Sequence, residues 1–351
     1  MIDTKIIEID PQNIEEEKLK IAAEVLRAGG TVAFPTETVY GLGANALDAL
    51  ALRKIFEAKG RPADNPLIVH IAHKEDVDRL VREIPKKAKL LMESFWPGPL
   101  TMVFKKSGLV PDVITAGLDT VAIRMPSHAI AKNLIEMAGV PVAAPSANLS
   151  GRPSPTQAGH VIEDMLGRVD IIISGGGCAV GLESTVLDVT EEVPVILRPG
   201  GVTLEALTEV VGEVLSDREI EGDFGAAPKS PGMKYTHYAP RAKVVMVSGD
   251  VEEIKHTINE LKRENADKGI KVGIMATDET EGSYCDAVVI SMGSRKEVNT
   301  IAENIFAILR RFDAMGVELI LVEGIETKLV GHAVMNRLTK AAGFNVIRAR
   351  R

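Results

Sequence analysis

The sequence has few of the residues that mark disulfide-rich, zinc-binding or membrane proteins. Only two of its 351 residues are cysteines, Cys178 and Cys285, and they form no CxxC pair, which disfavours a zinc knuckle or a redox dithiol. No apolar run is long enough to cross a bilayer, and the acidic amino-terminal stretch lacks the pattern of a signal peptide. We therefore expect a cytoplasmic protein with no membrane partner.

Positive charge and aromatic side chains are also scarce. The formal net charge is -8 and aromatic residues make up 4% of the chain, so we expect neither a broad basic surface nor the stacking platforms that bind single-stranded nucleic acid. Hydrophobic residues make up 45% of the sequence, which is enough for folded cores of mainly aliphatic side chains. A few local cations could still hold a small anionic ligand.

The hydrophobic pattern predicts two domains joined by a linker. Over residues 1–213, strand patterns outnumber those of a regular βαβ alternation, which predicts an α/β domain with a mixed, twisted sheet flanked by helices. Residues 214–242 contain turn-like clusters of Pro and Gly and indicate a linker. Residues 243–351 alternate regularly between strand and helix patterns, which predicts a second, smaller, Rossmann-like α/β domain.

Two segments place polar residues directly after predicted strands. FPTETVYGLGANA, residues 34–46, offers hydroxyls, a carboxylate and glycines, and we interpret residues 36–43 as a polar, glycine-rich loop that suits a polar ligand. AAPSANLSGRPSPT, residues 143–156, could cradle phosphate with side chains and turn amides. The alternative is that both are ordinary loops whose polar residues begin the next helix.

Two further segments add cations and a possible nucleophile. In KGRPADNPLIVHI, residues 59–71, Lys59 and Arg61 share a loop stiffened by prolines and could stabilise charge on phosphoryl oxygens; alternatively they are exposed surface charges. The segment 173–189 contains three consecutive glycines and Cys178, which no histidine pattern supports as a nucleophile, so we interpret it as structural. No Walker A motif occurs, which argues against a P-loop NTPase.

The linker carries a motif of its own. SPGMKYTHYAPRA, residues 230–242, combines aromatic and cationic side chains, which are typical of a lid that covers a nucleotide and excludes water. A simple hinge between domains is the alternative.

Taken together with FWPGPLT, the Thr120–Arg124 strand TVAIRMP, and ESTV with RPG (residues 183–186 and 198–200), these segments resemble the YrdC-domain family, in its longer two-domain threonylcarbamoyl-AMP synthase form. The resemblance implies a nucleotidyltransferase. L-threonine, bicarbonate and ATP would give threonylcarbamoyl-AMP and pyrophosphate, with Mg²⁺ bound to ATP and few protein ligands for the metal. A downstream threonylcarbamoyl-transfer complex would then modify the adenosine next to the anticodon of tRNA, so tRNA would be an indirect partner.

The same resemblance implies roles for single residues. The threonine site would be formed by Thr38, His70, Arg124, Ala144 and Ser184. The ATP site would be formed by Arg61, Asn65, Thr120, Ser146, Asn148, Ser154, Arg198 and, at the tip of the lid, Tyr235. Catalysis would fall to Lys59 and Arg61, and no residue is expected to ligate a metal directly. Arg124 suits bidentate binding of the threonine carboxylate.

Three other functions stay open at this point. A YrdC-like domain could bind RNA without chemistry, although the acidic balance argues against it. Related domains make a carbamoyl-adenylate from carbamoyl phosphate, but their zinc-finger and acylphosphatase segments are missing here. The chain could also be an interaction protein whose second domain regulates the first. A dinucleotide site there is disfavoured because the first strand continues as VSGD, residues 247–250, without a GxGxxG motif.

Overall fold

A computed structural model describes residues 2–216 and 238–349. Contacts within the chain divide these residues into two compact units. The first unit comprises residues 2–150 and 154–216, and the second comprises residues 151–153 and 238–349. Within the described residues, no helix has both the length and the apolar character needed to span a bilayer.

The first unit combines eight helices and eleven strands among its described residues. The helices are α1 Glu16–Arg27, α2 Ala49–Lys59, α3 Val77–Leu80, α4 Lys86–Phe95, α5 Asp112–Thr115, α6 Ala129–Ala138, α7 Ala158–Met165 and α8 Leu204–Val211. The strands are β1 Lys5–Glu8, β2 Val32–Phe34, β3 Gly41–Asn45, β4 Ile68–His70, β5 Leu100–Lys105, β6 Thr120–Arg124, β7 Val142–Ala143, β8 Ile171–Ser174, β9 Thr185–Asp188, β10 Val195–Arg198 and β11 Leu215–Ser216.

All eleven strands form one sheet in the order β1-β8-β2-β3-β7-β4-β6-β5-β9-β10-β11. The sheet contains both parallel pairs, such as β4 with β6, and antiparallel pairs, such as β5 with β6, so the predicted mixed sheet is confirmed. The last pair, β10 with β11, reaches two residues into the segment predicted as a linker.

Apolar cores cover both faces of this sheet. Val32 and Phe34 of β2 pack in one core with α1 and α6, whereas Ala33 between them packs in the other core with α2 and α4. Because successive side chains of a strand point to opposite faces, this division shows that helices flank the sheet on both sides. The aliphatic composition of these cores agrees with the low aromatic content of the sequence.

One part of the polar loop predicted at residues 36–43 is wrong, because the chain from Gly41 onwards forms strand β3. The glycines that suggest a loop are required for strand packing. A Cβ on Gly43 would lie 2.7 Å from a ring carbon of Phe34 and 2.8 Å from a methyl of Val142. A glycine in a strand can mark such a close approach rather than a turn.

The second unit is the Rossmann-like domain that the sequence predicts. Its strands are β12 Lys243–Ser248, β13 Val272–Ala276, β14 Val288–Ser291, β15 Leu319–Glu323 and β16 Val346–Arg348, and its helices are α9 Val251–Ala266, α10 Val298–Ala314 and α11 Val330–Ala341. The strands pair in parallel in the order β14-β13-β15-β12-β16. After β12, the side chain of Asp250 caps α9 by accepting a hydrogen bond from the backbone amide of Glu252. This places a carboxylate at the position where a Rossmann fold would bind pyrophosphate.

Candidate active site

Arg124 lies at the carboxyl end of β6, where it is almost fully buried. Its Nη1 donates to Thr38 Oγ1 at 2.9 Å, and its Nε donates to the carbonyl of Gly98 at 3.3 Å. Its Nη2 lies 2.7 Å from Glu37 Oε1, in the geometry of an ion pair rather than of an aligned hydrogen bond. Residues of the FWPGPLT and PTETVYG motifs thus contact the same guanidinium, that of Arg124.

His70 ends β4 and lies opposite Arg124 in the register of the parallel pair β4 and β6. Burial lowers the pKa of His70 to about 3, and the positive charge of Arg124 acts in the same direction. His70 is therefore neutral at physiological pH and can exchange hydrogen bonds with a ligand without adding charge.

Glu37 keeps its charge despite being buried. Burial by itself raises the pKa of the carboxyl, but the close positive charge of Arg124 and hydrogen bonds from backbone amides, including that of Ser127, lower it more, so the pKa lies below its usual range. Glu37 balances the charge of Arg124 within the site. An amino acid zwitterion brings one carboxylate and one ammonium, so it fits such a pair without adding net buried charge.

Ser184 joins the residues predicted to bind threonine to those predicted to bind ATP. Its Oγ is 2.8 Å from Thr101 Oγ1, and Thr101 lies opposite Arg124 in the pairing of β5 with β6. Arg198 donates to Ser184 through Nε and Nη2, with distances of 3.1 and 2.9 Å to the carbonyl. The two predicted sets therefore meet at Ser184.

Ser154 lies beside this junction. It is almost fully buried, and its Oγ donates to Glu183 Oε1 at 2.5 Å, one residue before Ser184. The loop that carries Ser154 is also held to the PTETVYG motif, because the amide of Tyr40 donates to the carbonyl of Pro155 at 2.8 Å.

Lys59 contacts the predicted phosphate loop directly. It is the last residue of α2, which ends because Gly60 adopts the left-handed conformation with φ 61° and ψ 38°. Its Nζ donates to the carbonyls of Ser146 at 2.5 Å and Asn148 at 2.6 Å. The structure thus brings together Lys59, Ser146 and Asn148, which the sequence placed in one site. It also shows that Lys59 holds the loop through two backbone carbonyls, which the motif alone did not indicate.

Three residues predicted to bind ATP lie towards the amino-terminal ends of β4 and β6, away from His70 and Arg124. They are Arg61, Asn65 and Thr120. Arg61 Nη2 donates to the carbonyls of Asn65 at 3.2 Å and Pro66 at 3.3 Å, so these contacts are local. Thr120 begins β6 and Arg124 ends it, which separates the two residues by roughly 13 Å at the rise of a strand. No described contact joins Thr120 to the Arg124 cluster, so its predicted role depends on a ligand long enough to span β6.

Ala144 and Tyr235 complete the predicted set. Ala144 directly follows β7. A Cβ on Gly41 would lie 3.2 Å from the Cβ of Ala144, so the backbone is tightly packed there. Tyr235 lies outside the described residues, as does most of the SPGMKYTHYAP motif.

The sequence reasoning missed two buried carboxylates, Glu37 and Glu183, that organise the site. Both lie inside motifs that were singled out, PTETVYG and ESTV. Each accompanies a residue that was assigned, because Glu37 pairs with Arg124 and Glu183 accepts a hydrogen bond from Ser154. An acidic residue next to a predicted ligand-binding hydroxyl was the available signal.

Cys178 is a buried, free thiol. Burial raises the pKa of this thiol to about 12, which keeps it protonated and unsuited to nucleophilic attack, as its structural interpretation requires. Within residues 2–216 and 238–349, no group of three or more His, Cys, Asp or Glu side chains could hold a metal ion.

Comparison with known proteins matches both units of the chain. Residues 24–200 match the Sua5/YciO/YrdC family model, described as telomere recombination, and residues 202–343 match the C-terminal domain model of threonylcarbamoyl-AMP synthase. A threonylcarbamoyl-AMP synthase of Pyrococcus abyssi is 53% identical over 337 residues, which cover 96% of this chain and 97% of that protein. The chain belongs to the two-domain threonylcarbamoyl-AMP synthase family, and it is an enzyme.

A further relative and two solved structures are also similar to this chain. A Bacillus subtilis threonylcarbamoyl-AMP synthase is 49% identical over 341 residues, covering 97% of each chain. The crystal structure of Pyrococcus abyssi Sua5 complexed with L-threonine has a TM-score of 0.93 and 52% identity, covering 98% of this chain and 99% of that one. Escherichia coli YciO, with a TM-score of 0.51 and 27% identity, covers 57% of this chain and 96% of its own.

Proposed function

We propose that this enzyme joins L-threonine, bicarbonate and ATP into threonylcarbamoyl-AMP and pyrophosphate. The observation that carries the proposal is the junction at Ser184, which connects the Arg124 cluster to Arg198 and Ser154. The relative of known structure that binds L-threonine supports the choice of amino acid. The product would pass to a threonylcarbamoyl-transfer complex that modifies tRNA next to the anticodon.

The reaction has two chemical steps. The threonine amine adds to the carbon of bicarbonate, and water leaves to give a carbamate. An oxygen of the carbamate then attacks the α-phosphorus of ATP, and pyrophosphate leaves. Neither step needs a covalent protein nucleophile, so catalysis consists of positioning and charge stabilisation.

The residues of the threonine end fit the first step. Arg124 would bind the threonine carboxylate through its planar guanidinium, which already donates to the hydroxyl of Thr38. The hydroxyl of Ser184 accepts a hydrogen bond from Arg198 Nη2 at 3.2 Å. Neutral His70 can accept or donate a hydrogen bond without competing for the carboxylate. The carboxylate of Glu37 would face the substrate amine and keep the local charge balanced.

The residues of the nucleotide end fit the second step. Arg198, Ser154 and the loop from Ser146 to Asn148 would bind ATP, with Arg61, Asn65 and Thr120 extending the site along β6. Lys59 would neutralise phosphoryl charge, and it already fixes the loop through two carbonyls. Mg²⁺ would supply further charge neutralisation while bound to the phosphates of ATP, because the described residues offer no cluster of metal ligands and Glu37 and Glu183 are engaged.

The direct test is incubation with ATP, L-threonine, bicarbonate and Mg²⁺, followed by mass analysis of the adenylate. We expect threonylcarbamoyl-AMP and an equal amount of pyrophosphate, and neither product without bicarbonate. A plain threonyl-adenylate that forms without bicarbonate would contradict the proposal. Replacement of bicarbonate and threonine by carbamoyl phosphate distinguishes the alternative carbamoyl chemistry.

Substitutions at the cationic loop test which residues act in the reaction. Lys59→Ala and Arg61→Ala should each lower turnover by about a hundredfold or more while circular dichroism stays unchanged, because each removes a charge near the transferring phosphoryl group. Near-normal pyrophosphate release by both variants would refute their catalytic role. Lys54→Ala, which removes another cation of α2, is the matched control and should retain activity.

A further inference from the structure

The proposed nucleotide site contains a buried pair of polar side chains, Ser154 and Glu183. Ser154 is 1% exposed and Glu183 is 7% exposed. Their hydrogen bond, 2.5 Å from Ser154 Oγ to Glu183 Oε1, joins residues that are 29 positions apart in the first unit. A buried carboxylate is costly to keep, so its place beside a residue that we assign to ATP calls for a chemical reason.

The hydrogen bond within this pair has one direction. An ionised carboxylate has no proton to give, so the hydroxyl of Ser154 donates and Glu183 accepts. Because a serine hydroxyl has a single proton, the oxygen of Ser154 can then only accept a hydrogen bond from a ligand. The ionised phosphates of ATP offer acceptors and no donors. Ser154 therefore cannot bind them through its hydroxyl, and its ligand has to be a donor.

The charge of Glu183 leads to the same conclusion. Two negative groups repel each other, and they do so more strongly where water is excluded. Lys59 contacts the beginning of the same loop, where its Nζ donates to the carbonyls of Ser146 and Asn148. The cation favours phosphates at the beginning of the loop, whereas the carboxylate disfavours them at Ser154.

The order of groups in ATP fits this distribution of charge. The α-phosphorus, which the carbamate attacks, has to lie near Ser184, because Ser184 joins the threonine end to Arg198. Glu183 directly precedes Ser184 in the chain. The α-phosphate is bonded to the ribose on one side and to the other phosphates on the other side. Since the carboxylate disfavours those phosphates, the ribose is the group that lies next to the pair, and its two hydroxyls are donors.

We propose that Ser154 and Glu183 form the ribose subsite of this enzyme, in which a ribose hydroxyl donates to Ser154 Oγ. Glu183 is a positioning residue that takes the Ser154 proton and so turns the oxygen into an acceptor. This inference rests on the proposed function, because that function places the α-phosphorus beside Ser184. It makes the pair a determinant of specificity for ribonucleotides, as carboxylates are in other nucleotide-binding folds.

The first test needs only the parent protein and three nucleotides: ATP, 2′-deoxy-ATP and 3′-deoxy-ATP. In the adenylate assay, at least one deoxynucleotide should have a kcat/KM lower than that of ATP by about tenfold to a hundredfold, the usual effect of losing a hydrogen bond in a charge-assisted network. Equal kcat/KM values for all three nucleotides would overturn the proposal.

Substitutions then assign the preference to the pair. Ser154→Ala should reduce the preference for ATP over the rejected deoxynucleotide by about tenfold, and Glu183→Gln should reduce it by a smaller factor, because an amide oxygen still accepts but carries no charge. Glu93→Gln and Ser94→Ala make the same two changes on the exposed surface of α4 and should keep the parent preference. A folded Ser154→Ala protein that keeps the parent preference would contradict the proposal.

Inosine triphosphate identifies the other possible donor, the 6-amino group of adenine. It retains both ribose hydroxyls, so Ser154→Ala should leave the ratio of ATP to inosine triphosphate turnover as in the parent. A change in that ratio in place of the deoxynucleotide ratio would assign the pair to the base and overturn the proposal.

Calorimetric binding of ATP and of the deoxynucleotides gives the same comparison without chemistry. If the parent binds ATP but forms no adenylate, the proposed function fails, whereas the binding preference still decides the ribose subsite. A parent protein that binds no ATP would overturn both.

Discussion

Arg124 is the residue on which most of the threonine end depends. Its guanidinium has three nitrogens with three different partners, and lysine offers a single charge with no planar fork. We expect Arg124→Lys to raise KM for threonine by about tenfold to a hundredfold, with a smaller change in KM for ATP. Steady-state kinetics of pyrophosphate release measures both values.

The control for this substitution is Arg53→Lys, which makes the same change on the exposed surface of α2. It should leave both KM values as they are. Equal increases in the KM for threonine and the KM for ATP in Arg124→Lys would argue that the residue holds the fold rather than the substrate.

His70 makes a second prediction, on stability against pH. Its pKa is about 3 in the folded protein because of burial and the nearby charge of Arg124, whereas an unfolded histidine titrates near 6.5. Between those values the unfolded chain binds a proton that the folded chain does not, so folding stability falls as pH is lowered. The contribution of neutral His70 to the free energy of unfolding is complete above about pH 6.5. Below that pH it is lost at ~1.4 kcal/mol per pH unit.

Denaturant unfolding between pH 5 and 7 tests this linkage. His70→Gln should reduce the slope of stability against pH in that range, whatever it does to stability at neutral pH. His73→Gln, which removes an exposed histidine three residues along, is the control for making the same substitution outside the core. If His70→Gln retained the parent slope, the neutral, buried state of His70 would be wrong.

The residue scale also shows what motifs can and cannot predict. Arg124 contacts Thr38, and Arg198 contacts Ser184, so the structure brings together residues that separate motifs contribute from distant parts of the chain. Glu37 and Glu183 were missed because a motif names residues but not their pairing. Only the folded chain shows which carboxylate balances which guanidinium.

At the scale of single elements, strand β3 carries a prediction about its glycines. An Ala at Gly43 would bring a methyl group against Phe34 and Val142 in a packed core. We expect Gly43→Ala to lower the free energy of unfolding by about 2 kcal/mol, the usual cost of overpacking. Gly108→Ala is the matched control, because nothing lies within 4 Å of the place its new methyl group would take and its φ is not positive. Comparable stabilities for the two variants, measured by urea unfolding, would contradict this account of β3.

Most elements with a clear apolar pattern were predictable from sequence, whereas the glycine-rich strand β3 and two edge strands were not. The strand at Thr120–Arg124 was predicted with its observed bounds, because every residue in it is buried and apolar residues dominate. The strands β1 and β16 were missed. Each is short, and three residues of β1 are exposed, as are two of β16. Such a strand shows no apolar run or alternation because its pairing depends on backbone hydrogen bonds to an existing sheet edge.

At the scale of the whole molecule, the acidic balance makes a prediction about RNA. A net charge of -8 provides little of the positive surface that neutralises phosphates. We expect filter binding to give a Kd for tRNA on the order of 10 µM or weaker at physiological salt, unchanged by ATP and threonine. Tight binding that strengthens with both substrates would support the RNA-binding alternative, and an unrelated basic RNA-binding protein serves as the positive control.

The two units also show where a linear sequence reading stops. The alternating pattern after residue 243 predicts the parallel sheet of the second unit correctly. The pattern could not indicate that residues 151–153 belong with that unit, because a turn rich in Gly and Pro has the same sequence whichever surface it contacts. Long-range backbone contacts of this kind leave no periodic signal.

The RPG turn that ends with Gly200 has a consequence for how the active site can evolve. A methyl group at Gly200 would fall 2.3 Å from the amide of Thr185 and 2.4 Å from the carbonyl of Glu183, so the turn presses directly on the backbone beside Ser184. Arg198 therefore owes its direction to contact between main chains, which substitutions of nearby side chains cannot adjust gradually. A laboratory selection for variants that use another nucleotide should for this reason leave the RPG turn unchanged. The selected substitutions should accumulate in the loops on the opposite side of the ligand.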